Sequence, residues 1–333
     1  MMRRLIAGIA VASLAVVVWG CGQEEKQDGP KAGKKLTFAV IPKANVFTFW
    51  PTVKKGAEAA GKELGIEIIW RGAKDEISFS EQIEIVKAMI TKRVDGIALA
   101  PQSATALVDV AKEAAAAGIP VAIIDSGLNW DGSVSFVATD NYQGGVMGAQ
   151  RLAKLLPEGG QVALIRNIRG SASTEAREQG FLDTINNKHK NLKLVAEQYA
   201  EGDPTKGQQV VAAILAANQE LAGVFTANEP GAIGALNAVR NANRVGKVKI
   251  VGFDASPTLI AGIRDGSLDS TIVQDPFQMG YRGVKILYDH LQGKPAKKLE
   301  KTPIKLVTKD NLDTPEIQEY LAAYGALAQE EKK

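Results

Sequence analysis

The sequence predicts an α/β protein in which helices cover both faces of parallel sheets. Short apolar runs rich in β-branched residues alternate with amphipathic stretches along most of the 333 residues. Apolar runs of this kind are typical of strands that are buried on both faces. The alternation continues for more elements than one compact doubly wound sheet holds, so we expect two lobes.

The predicted strands are short apolar runs, at residues 36–42, 66–70, 96–100, 121–125, 161–166, 192–197, 223–228 and 247–254. Among the helical stretches between them, 78–92 begins with Ser78 and Glu81 at the spacing of a capping box. Right-handed crossovers place the carboxyl ends of parallel strands on one shared edge in each lobe. Two such edges facing one another would form a cleft, and open α/β sheets bind ligands at that edge.

Composition and charge argue against several classes of protein. The chain is 45% hydrophobic and 23% charged, which is ordinary for a globular protein and argues against disorder. Its net charge is +3, and removal of residues 1–20, which contain Arg3, Arg4 and no acid, would leave +1. A balance so close to neutral disfavours a polyanionic partner, so nucleic-acid binding is not expected.

The first twenty residues are predicted to be an export signal. A basic start is followed by an apolar or small run at 5–19. A membrane anchor is the alternative, but this run is shorter than the roughly 20 residues that cross a bilayer. Cys21 is the only cysteine, so no internal disulfide can form. The polar, charged stretch to residue 35 indicates a flexible tether at 21–35.

Residues 18–21 resemble the bacterial lipobox, in which the cysteine is lipidated and becomes the new N-terminus. Trp19 departs from the small residue that is usual at its position. The resemblance implies that Cys21 carries a lipid anchor. The alternative is a plain secreted protein with an incidental thiol.

Polar side chains recur where the predicted strands end, as Asp125-Ser126, Asp140-Asn141, Asn228-Glu229, Asp254 and Gln274-Asp275. An ionised carboxylate accepts hydroxyl protons, and an amide both donates and accepts hydrogen bonds. This set predicts a ligand that carries many hydroxyl groups.

Helix capping is the competing explanation for each of these residues. Ser256 before Pro257 is a ready cap, which leaves Asp254 free for a ligand. Asp203 precedes a proline in the same way, so there we expect a cap. The glycines that follow Asn141 indicate close packing or a bend rather than phosphate binding, because no GxGxxG or Walker spacing occurs.

Three aromatic residues lie near Asn45, between the first predicted strand and a helix expected at 52–64. Sugar rings present apolar C–H faces that stack on flat side chains. We expect Phe49 and Trp50 to stack on a ring and Phe47 to pack in the core.

Catalysis is not expected, and neither a cofactor nor a metal is predicted. His189 and His290 both lie in polar sequence, without the partners of a catalytic triad or a zinc site. Asp125 and Asp254 are an alternative glycosidase pair. A carboxylate that several hydroxyl groups hold in its ionised form is, however, a poor proton donor.

Six segments together resemble one protein family, and they are PVAIIDS, FVATDN, STEAREQGF, GVFTANEPGAIGAL, IVGFDASP and STIVQDP. Over residues 36–311 the chain resembles the periplasmic sugar-binding proteins of bacterial ABC importers, of the ribose-binding type. The core of the LacI-type repressors shares that fold. A repressor would need a DNA-binding helix-turn-helix ahead of this core, where the sequence has a signal and tether instead.

The resemblance implies the type I periplasmic binding protein fold, with two Rossmann-like lobes joined by a three-segment hinge near 139–140, 274–275 and 303–304. The implied divisions are an N-terminal lobe at 36–139 plus 275–303, a C-terminal lobe at 140–274 plus 304–313, and a terminal helix at 314–333.

The resemblance also implies a set of ligand-binding residues, which are Phe49 and Trp50 as stacking groups, Asp125 as acceptor, Arg177 as donor, and Asn228, Asp254 and Gln274. The chain departs from the family at Ser126, where ribose binders have an arginine, and at Gly202, where they have an aromatic residue. Lys43 either compensates for the lost cation or is solvated. Lys43, Asn45 and Ser126 are therefore further candidates.

The expected function is that of an extracytoplasmic, lipid-anchored and monomeric receptor that binds a monosaccharide and delivers it to an ABC permease and its ATPase. A sugar sensor for a histidine kinase or chemoreceptor is the alternative, because both use the same scaffold. The sequence leaves open which sugar is bound.

Overall fold

The computed structural model describes residues 35–324. The strands are β1 (Thr37–Ile41), β2 (Glu67–Trp70), β3 (Gly96–Leu99), β4 (Val121–Ile124), β5 (Phe136–Thr139), β6 (Gly160–Arg166), β7 (Leu192–Tyr199), β8 (Leu221–Thr226), β9 (Lys249–Phe253), β10 (Ser270–Val273), β11 (Leu299–Thr302) and β12 (Lys305–Thr308). The helices are α1 (Phe49–Leu64), α2 (Phe79–Lys92), α3 (Val108–Ala116), α4 (Asn141–Leu155), α5 (Ala172–Lys188), α6 (Pro204–Ala217), α7 (Glu229–Asn241), α8 (Pro257–Asp265), α9 (Pro276–Leu291) and α10 (Pro315–Tyr324).

The strands form two sheets of six. The first has the order β11-β5-β4-β3-β1-β2, with every neighbouring pair parallel. The second has the order β12-β10-β9-β8-β6-β7 and is parallel except for β12, which runs antiparallel to β10. The predicted α/β class with two helix-flanked lobes is confirmed. We call the lobe around the first sheet the N lobe and the other the C lobe.

The chain passes between the sheets at three places. Asp140 lies between β5 of the N lobe and α4, which packs on the C-lobe sheet. Gln274 and Asp275 lie between β10 and α9, and residues 303–304 lie between β11 and β12. Because β11 ends at the crossing, β12 enters the C lobe from the cleft side and runs away from it, which makes it antiparallel.

Each lobe contains a pair of helices in backbone contact. A Cβ added at Gly56 of α1 would lie 1.9 Å from the Phe277 carbonyl oxygen of α9. A Cβ added at Gly145 of α4 would lie 1.8 Å from the Arg177 carbonyl oxygen of α5. No side chain fits at these distances, so glycine is required at both. The close packing predicted for the glycines after Asn141 is confirmed.

The helix starts agree only in part with the sequence. Asp203 accepts from Lys206 N at 2.8 Å and Ser256 from Leu259 N at 3.4 Å, so both predicted caps are confirmed. The capping box predicted at Ser78 is wrong, because its hydroxyl makes no cap bond and Glu81 accepts from Lys74 N instead.

The predicted targeting segments lie at the start of the chain. The predicted signal, the tether to residue 34, and Cys21 lie outside the described residues. The predicted terminal helix is observed as α10 up to Tyr324. Within residues 35–324 no helix combines the length and the apolar character needed to cross a bilayer.

Candidate functional site

A cavity lies between the lobes at the carboxyl ends of the strands. It holds about 370 Å³ of free space, including the part that opens to solvent. The lining residues are Lys43, Phe47, Phe49, Trp50, Glu76 and Asp125 from the N lobe, and Asn167, Ser173, Thr174, Arg177, Asn228, Glu229, Pro230, Asp254 and Gln274 from the C-lobe side. The structure thus brings together all seven residues predicted as the main ligand contacts. Their role in binding stays a prediction.

Asp125 and Asp254 occupy matching places in the two lobes. Asp125 directly follows β4 and Asp254 directly follows β9, each the third strand of its sheet. Both have left-handed backbone conformations, with φ of 61° and 70°. Aspartate tolerates this conformation better than most residues. It marks the point at which the chain leaves the strand and the carboxylate reaches the cavity.

Lys43 is buried and makes contacts in both lobes. Its Nζ lies 3.2 Å from Asp125 Oδ2 and donates to the hydroxyls of Ser171 and Ser173, each at 3.1 Å. Only 3% of the residue is exposed, so the solvated alternative is wrong. A buried cation needs such a partner, because neither charge is otherwise compensated.

Asp254 is held by neutral donors. Its Oδ1 accepts from Gln274 Nε2 at 2.7 Å, and its Oδ2 accepts from the Glu229 backbone N–H at 3.1 Å. Burial raises the pKa of Asp254, and the nearby Arg177 charge opposes that rise. Gln274 Oε1 has no partner within residues 35–324, so it remains as an acceptor.

Arg177 is fixed from three sides. Nη1 donates to the Ala227 carbonyl and Nε to Asn141 Oδ1, both at 2.8 Å. The guanidinium lies 3.9 Å from the centroid of the Phe253 ring. The side chain therefore reaches the cavity in a single orientation, as an oriented donor needs.

Asn228 combines two tasks. Its Oδ1 accepts from Gly231 N at 3.2 Å and caps α7. The acceptor is thereby used within the protein, which leaves Nδ2 to serve as a donor in the cavity.

Two aromatic rings form the N-lobe wall. Phe49 and Trp50 meet edge to face with centroids 4.8 Å apart, and Trp50 Nε1 donates to Glu76 Oε1 at 2.9 Å. Both residues belong to α1, which begins three residues earlier than predicted. The core role predicted for Phe47 is wrong, because this residue is only partly buried, has φ of 65° and lines the cavity.

Two of the further candidates do not reach the cavity. Asn45 is exposed, and its amide binds Gly72 O and Trp70 Nε1, each at 2.9 Å. Ser126 is fully buried, and its hydroxyl accepts from Ser173 N at 3.1 Å. Asn45 thus stabilises its own loop, and Ser126 joins the two lobes, so the structure corrects both expectations.

Two glutamates that line the cavity, the partly buried Glu76 and the buried Glu229, were absent from the predicted ligand set. Burial raises the pKa of Glu76, and the charge of Lys43 opposes this. Burial and the neighbouring Asp254 raise the pKa of Glu229 to about 8. Glu76 follows no strand and had no distinct signal, whereas Glu229 belongs to the strand-end pair Asn228-Glu229 but was not included in the ligand set implied by the resemblance.

Side chains from both lobes surround Gly202, the position at which the resemblance implies a C-lobe aromatic residue. Gly202 has φ of 69°, and a Cβ added there would lie 3.4 Å from Ile168 Cδ1 and 3.9 Å from Glu76 Cβ. Asn167 Oδ1 would lie 3.7 Å from the same Cβ, so Ile168, Asn167 and Glu76 surround this position. Within residues 35–324 no group of three or more potential metal ligands occurs.

Comparison with known proteins places this architecture in one family. A family model described as the periplasmic binding protein domain matches residues 38–295. The chain is 34% identical over 274 residues to the D-allose-binding periplasmic protein of Escherichia coli (strain K12), an alignment that covers 80% of this chain and 88% of that protein.

Two solved structures are also similar. An ABC transporter solute-binding protein from Agrobacterium vitis with bound D-fucose has 36% identity and a TM-score of 0.82, covering 85% of this chain and 99% of that one. A carbohydrate transporter solute-binding protein from Agrobacterium radiobacter in complex with D-arabinose has 33% identity and a TM-score of 0.84, covering 87% and 99%. The protein therefore belongs to the periplasmic binding protein family.

Proposed function

We propose that the protein captures a monosaccharide in the cavity between its lobes and delivers it to an ABC importer. The observation that carries the proposal is the convergence of two strand-end carboxylates, an oriented arginine and two aromatic rings on one cavity. Relatives named for D-allose, D-fucose and D-arabinose support it.

The side chains divide the recognition between them. Asp125 and Asp254 accept hydrogen bonds from hydroxyl groups, while Arg177 and Asn228 donate hydrogen bonds to ring or hydroxyl oxygens. Each hydrogen bond to a charged group contributes about 1.5–3 kcal/mol. Phe49 and Trp50 cover an apolar ring face and add a less selective contribution.

Closure of the lobes is the signal to the importer. Direct bonds already join the lobes, with Thr48 N donating to Glu229 at 3.1 Å and Ala104 N donating to Gly170 O at 2.9 Å. A ligand that contacts both lobes binds the closed state better than the open state and so shifts the population toward it. The permease then distinguishes the loaded form by its shape.

A thermal-shift screen over aldopentoses, aldohexoses and 6-deoxyhexoses tests the proposal. We expect a clear rise in melting temperature with at least one of them, and loss of that rise in Asp254→Asn. Asp109→Asn changes an exposed acid on α3 and serves as the matched control. If no sugar stabilises the wild-type protein at millimolar concentration, the proposed function is wrong.

We also propose that Cys21 carries a lipid that anchors a monomeric receptor outside the cytoplasm. The polar composition of residues 21–35 supports this, since it predicts a flexible tether between the cysteine and the lobes. Cys21→Ala should move the protein from the membrane fraction to the soluble extracytoplasmic fraction. Membrane association that persists in this variant would contradict the anchor.

A further inference from the structure

The terminal helix α10 is attached to the C lobe at its start. It follows β12, the antiparallel edge strand of the C-lobe sheet. Glu316 pairs with Lys305 of β12, and Asp313, just before the helix, lies 3.0 Å from Arg264 of α8. The first turn of α10 therefore moves with the C lobe.

The end of the same helix is attached to the N lobe. Thr52 Oγ1 of α1 donates to the Tyr324 carbonyl at 2.6 Å. The ring of Tyr324 meets the ring of Phe49 with centroids 6.5 Å apart. Between the two ends, Tyr320 donates to the Pro303 carbonyl at the third crossing, at 3.2 Å. One helix thus contacts both lobes and the hinge.

Tyr324 lies directly behind the cavity. It is 2% exposed, and its hydroxyl faces the Ala255 backbone amide without making a hydrogen bond of ordinary geometry to any residue within 35–324. Burial, followed by the charges of Asp254 and Glu229, raises its pKa well above the usual range. The hydroxyl therefore stays protonated, as a donor beside two C-lobe carboxylates.

Tyr324 thus ends a helix whose start is paired with the C lobe and whose end is bonded to the N lobe. Opening of the cleft would move Phe49 and Thr52 of the N lobe relative to the C-lobe residues that hold the start of α10. The helix would have to break the contacts at one of its ends, and loss of those at Tyr324 would expose its ring. Burial of an aromatic side chain is a large favourable contribution in a single residue.

We propose that α10 ties the lobes together and favours the closed arrangement, and that Tyr324 is a positioning residue that anchors the end of this helix to Phe49 and Thr52 of the N lobe. The link to affinity rests on the proposed sugar-binding function. The link to lobe position does not, since it follows from contacts within the chain. Without ligand, the helix should already raise the closed population, which increases the apparent affinity of any ligand that needs that state.

The distance between the lobes tests the tie without any ligand. Spin labels at Glu113→Cys on α3 and Gln209→Cys on α6, in a Cys21→Ser background, would report it by double electron–electron resonance. Both sites are exposed, and they belong to different lobes. Without ligand we expect a measurable closed population in the otherwise unchanged protein, and a clearly smaller one in Tyr324→Ala.

Three further variants separate positioning from folding. Tyr324→Phe keeps the ring and should retain the closed distribution. Glu319→Ala changes an exposed residue of α10 and should have no effect. Thr52→Val removes only the bond to the Tyr324 carbonyl and that to Thr48, and should give a smaller shift than Tyr324→Ala. If Tyr324→Ala does not fold, the distance distribution of Thr52→Val tests the tie instead.

The result that overturns the tie is an identical distance distribution in the wild-type background and in the folded variants, or a wild-type background with no closed population in the absence of ligand. Titration with D-allose then addresses affinity, where we expect Tyr324→Ala to weaken binding at least fivefold. If the distances respond to Tyr324 but no sugar of the screen binds the wild-type protein, the tie stands and the proposed function fails. If sugar binds the wild-type protein and the distances do not respond to Tyr324, the proposed function stands and the tie is wrong.

Discussion

The two lobes have the same strand order and the same strand-end aspartate, yet they surround that aspartate with different partners. Asp125 of the N lobe faces the full positive charge of Lys43 at 3.2 Å. Asp254 of the C lobe is bonded to an amide and a backbone N–H, and the charge of Arg177 only partly offsets the rise in its pKa that burial causes. A common scaffold thus supports one carboxylate held by a cation at 3.2 Å and one held by neutral donors.

Because of this difference, the two lobes contribute different kinds of groups to the cleft. The N lobe supplies an ion pair, the aromatic wall and one carboxyl group of raised pKa, Glu76, so its half is partly apolar. The C lobe supplies Arg177, amides and two carboxyl groups whose pKa is raised, so its half contains most of the groups that respond to ligand donors and to pH. A sugar would therefore stack on one lobe and be selected largely by the other.

The largest effect should come from removing one acid at a time. Asp125→Ala leaves Lys43 buried without its carboxylate, and we expect the free energy of unfolding to fall by about 3–5 kcal/mol. Asp254→Ala removes an acid whose ionised form is already disfavoured, so ligand-free stability should change much less. Urea denaturation of both variants measures this. Equal losses of unfolding free energy would show that the two acids are equivalent in the ligand-free protein.

The pH dependence of the ligand-free protein should be smaller and should arise mainly in the C lobe. The pKa of Glu229 is raised from 4.5 to about 8, so the folded protein keeps a proton that the unfolded chain has released between these values. Stability should therefore fall as pH rises from about 4.5 to about 8. Melting temperatures from pH 5 to 9 would show a flatter profile in Glu229→Gln. A profile as steep as that of the wild type would assign the effect elsewhere.

The smallest effect should come from the aromatic wall of the N lobe. Trp50→Phe keeps a ring but removes the bond from Nε1 to Glu76, which is worth about 0.5–1.5 kcal/mol. Sugar affinity measured by calorimetry should fall by no more than about tenfold. Asn45→Ala, in the neighbouring loop, is the control and should leave affinity unchanged, since Asn45 does not reach the cavity. A loss of affinity in Asn45→Ala would show that this loop rearranges on binding.

The fold was predictable where local pattern and tertiary role agree. The buried strands are continuous apolar runs, and caps such as those of Asp203 and Ser256 depend on residues three positions apart. The edge strands β11 and β12 were not predicted, because three of the four residues of LEKT and two of the four of KLVT are polar, and neither strand is fully buried. Sequence pattern does not distinguish such edges from loops.

The site was predictable only where chain direction determines it. A residue after a buried strand must emerge at the cleft edge, which placed Asp125 and Asp254 correctly. Glu76 lies in the loop between β2 and α2, and the Trp50 indole holds it at the cavity. Phe47 reaches the cavity because its backbone turns to a positive φ. Both depend on loop geometry, which residue type alone does not specify.

The glycine contact between α4 and α5 sets the position of Arg177 from outside the cavity. Gly145 presses against the backbone that carries Arg177, 1.8 Å from where a methyl group would have to fit. Exchange of this glycine for alanine would push the α5 backbone outward and move the guanidinium without altering any residue that lines the cavity. Sugar selectivity could thus be retuned from the outer layer of the lobe, by shifting a whole helix rather than by exchanging side chains in contact with the ligand.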